Sequence, residues 1–115
     1  MPDVALQGRT PTAEEKRHMS RVRALGCVVC KQYHDEETPA EIHHVDGKTK
    51  DGAHFMVLPL CYIHHRAGIS VPAAVSRHPY KAEFESRYGT EEELLELVAR
   101  MLDGTKDPGF DPFEF

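Results

Sequence analysis

The chain reads Glu41-Ile42-His43-His44-Val45, then a polar loop, then His54-Phe55-Met56-Val57-Leu58-Pro59-Leu60, and then Cys61-Tyr62-Ile63-His64-His65-Arg66. The two apolar runs are short and β-like, and the segment after Leu60 looks like the first turn of a helix. Five of the chain's eight histidines fall in residues 41–66, at both ends of this strand-loop-strand-helix unit. The pattern predicts two imidazole pairs placed around one metal ion. Neighbouring side chains of a strand point to opposite faces, so His43 and His44 are not expected to serve identical roles.

The cysteines extend this reading. Cys27-Val28-Val29-Cys30 follows a predicted helix stop at Gly26, and two sulfurs separated by two residues suit one zinc ion. A redox pair is the competing reading, but it wants the motif to open a helix after a strand. Cys61-Tyr62-Ile63-His64 supplies a second pair with the same two-residue spacer. Together Cys27, Cys30, Cys61 and His64 form a tetrahedral structural zinc set. Either His64 or His65 can be the fourth ligand. The mirrored spacer favours His64 and leaves His65 to face the other way. Three cysteines cannot pair off, and no signal peptide or run of membrane-spanning length is visible. A reduced, cytoplasmic chain without a membrane partner is the expectation.

At 115 residues the chain is read as one domain over residues 12–104, with a loose arm over 1–11 and a C-terminal tail over 105–115. Thr12-Ala13-Glu14-Glu15 is a capping-box pattern that predicts a helix over about 13–25, with Met19, Val22 and Leu25 as its apolar stripe. Lys31 to Ala40 reads as a loop, Gly68 to Pro72 as a linker, and Ala73 to His78 as a short helical turn. Pro79 suits the first turn of a helix that aligns Tyr80, Phe84 and Tyr88, read as core aromatics. Thr90-Glu91-Glu92-Glu93 opens a last helix with a broad apolar face of Leu94, Leu95, Leu97, Val98, Met101 and Leu102.

The formal charge of −5 gives no global signal for nucleic acid. It is unevenly spread: residues 1–80 hold ten basic and nine acidic side chains, and residues 81–115 hold four and ten. The acidity therefore says little about the face that carries the histidines. Arg9, Lys16, Arg17, Arg21 and Arg23 make the N-terminal segment the most basic, either as a solvated helix face or as a phosphate-contacting one. His18 and His34 read as surface histidines.

Cys-x-x-Cys, Glu-Ile-His-His-Val, Leu-Pro-Leu-Cys-x-x-His-His-Arg and the later His78 resemble the HNH (ββα-metal) nucleases. The register from Met19 to Leu95, including Pro39-Ala40-Glu41-Ile42-His43-His44 and Arg87-Tyr88-Gly89-Thr90-Glu91, looks more narrowly like the phage recombination-enhancement (Ref-like), RecA-dependent nucleases. The resemblance implies an α+β fold: a small, treble-clef-like ββα-metal core with a structural zinc, flanked by N-terminal and C-terminal helices. It implies that His44 is the general base, that His43 and His65 bind a catalytic divalent ion, and that His78 completes the metal set or binds the scissile phosphate. The chain contains no asparagine, so the Asn that orients the base in many HNH enzymes is absent; Met56 takes its place in register. His54 or a backbone carbonyl is the candidate substitute.

These residues suit phosphodiester hydrolysis, since histidine titrates near neutrality and a divalent ion stabilises charge on phosphate. The expected cofactors are zinc at the structural site and Mg2+, Mn2+ or zinc at the catalytic one. The expected partners are DNA and a RecA filament in a bacterial host, and the oligomeric state is left open. A zinc-stabilised DNA- or protein-binding module of recombination is the alternative from another class.

Overall fold

The structure, a computed structural model, describes residues 10–45, 47 and 52–104. Most of the arm expected over 1–11, most of the loop between the two strands, and the tail over 105–115 lie outside the described residues. Helix α1 spans Ala13–Ala24 and starts at a complete capping box: the Glu15 amide donates to the Thr12 hydroxyl, and the Thr12 amide donates to the Glu15 carboxylate. Its stripe faces inward, with Val22 and Leu25 buried and Met19 packed against them. Gly26 then turns the chain at φ +79°. A Cβ there would sit 3.1 Å from the Thr38 carbonyl oxygen, which accepts from the Cys27 amide, so the tight approach requires glycine.

The segment after Cys27 differs from the expected loop. Val28 and Val29 enter a helical turn that continues as a π-helical turn over Cys30–His34, closed by Asp35 in the left-handed region. Val28 and Val29 are fully buried, and this anchors a polar stretch that has no helical stripe of its own.

Strand β1 (Glu41–His44) pairs antiparallel with β2 (Val57–Leu60), placing Glu41 opposite Leu60 and His44 opposite Val57. The Val45 amide donates to the Met56 carbonyl. The alternation of the ladder then puts Ile42 and Pro59 in a non-hydrogen-bonded pair, where proline costs no bond. The expected second run begins as a 3-10 turn over Ala53–Phe55 rather than as strand, entered through Gly52 at φ +77°. Helix α2 (Tyr62–His65) is a single turn directly after the hairpin.

The predicted helical turn over 73–78 is instead part of a second hairpin, β3 (Ser70–Val71) and β4 (Ala74–Val75), with Pro72 and Ala73 at its turn. Val75 is fully buried, and β-branched Val71 and Val75 prefer the extended state. Helix α3 covers Lys81–Tyr88, so Pro79 precedes it and Tyr80 is its N-cap. Phe84 and Tyr88 are core, whereas Tyr80 is exposed at 37%.

Helix α4 (Glu91–Asp103) opens on a second capping box through Thr90 and Glu93, and buries Leu94, Val98 and Leu102. The architecture is α+β, a ββα hairpin-helix unit flanked by α1 on one end of the chain and α3 and α4 on the other. Among the described residues no helix is long and apolar enough to cross a membrane.

Candidate metal centres and active site

The turn after Gly26 and the start of α2 bring Cys27, Cys30, Cys61 and His64 together, all buried, with ligand atoms within 4.8 Å of one another. Cys30 and Cys61 sulfurs lie 3.7 Å apart, well beyond a disulfide bond of about 2.05 Å. His64 Nδ1 is 3.2 Å from Cys61, 3.6 Å from Cys30 and 3.8 Å from Cys27. A tetrahedral zinc with bonds of about 2.3 Å to sulfur and 2.0–2.1 Å to nitrogen requires edges of roughly 3.8 Å and 3.6 Å. The donor set therefore fits zinc in both chemistry and size. The Cys27–Cys30 pair does open a helical turn, as a redox pair would, but it follows another helix and faces two further metal-type donors.

Two rings hold His64. His34 stacks on it at 5.3 Å between centroids, and Tyr88 meets it edge-on at 5.2 Å. Its Nε2 is buried and has no hydrogen-bond partner among the described residues. The Cys61 thiol is pushed down to about 3 by hydrogen bonds from Cys27 and from His64, while Cys27 is pushed up by that same bond to Cys61 and by burial. Burial pushes Cys30 up as well, so Cys61 is the one of the three whose thiolate is favoured, and thiolate is the form that binds metal.

A second group comprises His43 on β1, His65 on α2 and His78 after β4, again with ligand atoms within 4.8 Å. Their ring centroids are 5.2–5.4 Å apart. Backbone bonds seat the His78 segment: the Arg77 amide donates to the His64 carbonyl and the His78 amide to the His65 carbonyl. Burial falls across the group, from His43 at 3% to an exposed His78.

Two carboxylates stand beside these histidines. Glu91, at the first position of α4 and 5% exposed, contacts His43 Nε2 at 2.7 Å and accepts from Arg77 Nε at 2.5 Å. Glu41 contacts His65 Nδ1 at 2.8 Å and accepts from Arg66 Nε and Nη2, each at 2.8 Å. Burial pushes His43 down to about 4, against the opposing bond to Glu91, so the ring is neutral at neutral pH. Burial alone raises the Glu91 carboxyl, but the bonds from Arg77 and His43 outweigh it and hold it below the usual range. Arg66 and then His65 hold the Glu41 carboxyl down, to about 2.

His44, next to His43 but on the other side of the strand pleat, belongs to neither group. Its Nε2 lies 3.0 Å from Nδ1 of His54, which is buried at 4% in the 3-10 turn. Met56 is half-buried and lines a cleft with Glu91, Lys81 and Glu85.

Neither adjacent pair of histidines stays together around one ion, contrary to the simplest expectation from the sequence. The pleat of β1 separates His43 from His44, and the turn of α2 separates His64 from His65. Each pair is divided: His43 and His65 fall in one group, His64 in the other, and His44 in neither.

The carboxylates are what residue-type reasoning missed. Glu41 carried a signal, since it lies two residues before His43 in a strand and so shares its face. Glu91 carried none beyond an acid at a helix start. The chain matches, over residues 11–103, the family described as recombination enhancement, RecA-dependent nuclease. That match spans most of the 115 residues, and the chain belongs to this family of RecA-dependent nucleases.

Proposed function

We propose that the protein is a metal-dependent DNA endonuclease of the HNH (ββα-metal) type that acts in phage or prophage recombination, inside a bacterial host, on DNA presented by a RecA filament. The observation that carries this reading is the convergence of His43, His65 and His78 in a chain of a nuclease family. In this reading those three histidines hold a catalytic divalent ion, and Cys27, Cys30, Cys61 and His64 hold a structural zinc. The catalytic ion, when bound, stabilises the charge that develops on phosphate and on the leaving oxygen.

The remaining work belongs to the chain. His44 takes the proton from the attacking water, for which an imidazole is suited near neutral pH. His54 holds the His44 ring through the contact between Nδ1 and Nε2, the task that an asparagine performs in many HNH enzymes. Met56 offers no polar group for it. His78, the most exposed of the three, leaves that side of the group open to a phosphate.

The test is nicking of DNA by wild type and His44→Ala in Mg2+, in Mn2+ and without added metal, each with and without RecA filaments on single-stranded DNA. Wild-type cleavage should fall by about 10²–10⁴-fold in His44→Ala, with zinc content and melting unchanged. A requirement for the filament supports RecA-dependent presentation. Absence of cleavage by wild type in every condition overturns the enzyme reading in favour of a zinc-stabilised binding module.

A further inference from the structure

Glu91 and Glu41 belong to neither group of candidate ligands, although both touch a histidine of the three-histidine group. Their oxygens meet one nitrogen of each ring, Glu91 at His43 Nε2 at 2.7 Å and Glu41 at His65 Nδ1 at 2.8 Å. A carboxylate accepts and cannot donate, so each ring must place its proton on the nitrogen that faces its carboxylate. The two contacts therefore demand opposite tautomers: Nε2–H on His43 and Nδ1–H on His65. Each leaves the other nitrogen with its lone pair, Nδ1 on His43 and Nε2 on His65.

We propose that Glu91 and Glu41 are positioning residues that fix these opposite tautomers and so aim two lone pairs at one divalent ion. The inference rests on the reading of His43, His65 and His78 as the catalytic-ion site. The two carboxylates are themselves held by arginines. Arg77, next to His78 in the chain, binds the Glu91 oxygen that meets His43, and Arg66 clamps Glu41 with two bonds. Glu91 begins α4, so the N-terminus of the last helix is tied to the strand that carries His43. A hydrogen-bonding partner behind a metal-binding histidine commonly contributes 10–100-fold in metal affinity.

Two measurements test this, both starting from the zinc-loaded chain: the first is made with no second ion present, and the second adds one. Long-range proton–nitrogen NMR of the wild type at neutral pH reads the tautomers directly, and His43 should be Nε2–H and His65 Nδ1–H. The reverse tautomer on both rings overturns the proposal, whatever the variants do. Titration with Mn2+, followed calorimetrically, should then show affinity about 10–100-fold weaker in Glu91→Gln and in Glu41→Gln, with zinc content unchanged.

Glu41 lies on a partly exposed strand position, so Glu41→Gln keeps the test open if the buried Glu91→Gln does not fold. Wild-type affinity in both variants overturns the positioning role. A wild type with the expected tautomers that binds no Mn2+ at all sinks the catalytic-ion reading instead, and the two failures are thereby told apart.

Discussion

The two candidate metal groups are built on opposite principles, although two of their histidines are adjacent in the chain. Cys27, Cys30, Cys61 and His64 are all buried, and His64 packs between the rings of the exposed His34 and the buried Tyr88. Around His43, His65 and His78 burial grades to an exposed edge, and two of the rings, His43 and His65, are held by the carboxylates of Glu91 and Glu41. Closed, sulfur-rich sets are structural, whereas sites that do chemistry keep a position open. A site that holds the fold can rely on shape. If the open group takes substrate, as proposed, it cannot be surrounded, and carboxylate contacts are left to orient His43 and His65.

The sharpest way to break this contrast is to attack the closed group. Cys61→Ser or Cys27→Ser should abolish zinc binding and leave the chain unfolded, as read by metal analysis and circular dichroism. The magnitude decides it. Structural zinc contributes on the order of 10 kcal/mol or more in small zinc domains, which matches or exceeds the roughly 5–15 kcal/mol net stability of a domain. The core offers no replacement, since Cys27, Cys30 and Cys61 are themselves part of it. Unchanged melting in either variant ends the structural assignment.

The open group should behave differently, and its graded burial predicts a split within it. His78→Ala removes an exposed ring and should leave stability within about 0.5 kcal/mol of wild type. His43→Ala leaves the buried Glu91 with one partner fewer and should cost about 1–3 kcal/mol. Both should lose Mn2+ affinity. Equal melting temperatures in the two variants, by calorimetry, would show that the gradient of burial means nothing for the fold.

What the sequence made legible follows the same division. The grouping of Cys27, Cys30, Cys61 and His64 is written in spacing, because both pairs are local and each sits at a turn. The assignment of His64 and His65 to different sides follows from a helical turn, and that of His43 and His44 from a strand. Glu91 was opaque for a physical reason. It is one of three consecutive glutamates at a helix start; the capping box claims Glu93, but nothing local separates Glu91 from Glu92. Only the packing of α4 against the hairpin selects it, across 48 residues of chain from His43.

The β3–β4 hairpin failed for the opposite reason. Ala73 and Ala74 favour helix locally, and the burial of Val75 and Ser76 overrides that preference.

The smallest effect is also the most discriminating, because the chain carries two capping boxes of the same design. Thr12→Ala and Thr90→Ala should each cost about 1 kcal/mol, since each removes a hydroxyl that accepts from the third amide of its helix. Thr12 starts a helix that contributes no side chain to the open group, so its loss should be felt in melting alone. Thr90 fixes the backbone directly before Glu91, and Glu91 must reach His43 and Arg77 from that first turn. Thr90→Ala should therefore weaken Mn2+ binding as well, by a few-fold at most, because the bonds to His43 and Arg77 still restrain Glu91. Matched melting losses with weakened Mn2+ binding only in Thr90→Ala would show that the helix start sets the geometry of the histidines. Equal Mn2+ affinity in the two variants would mean that Glu91 is held by its partners and not by its cap.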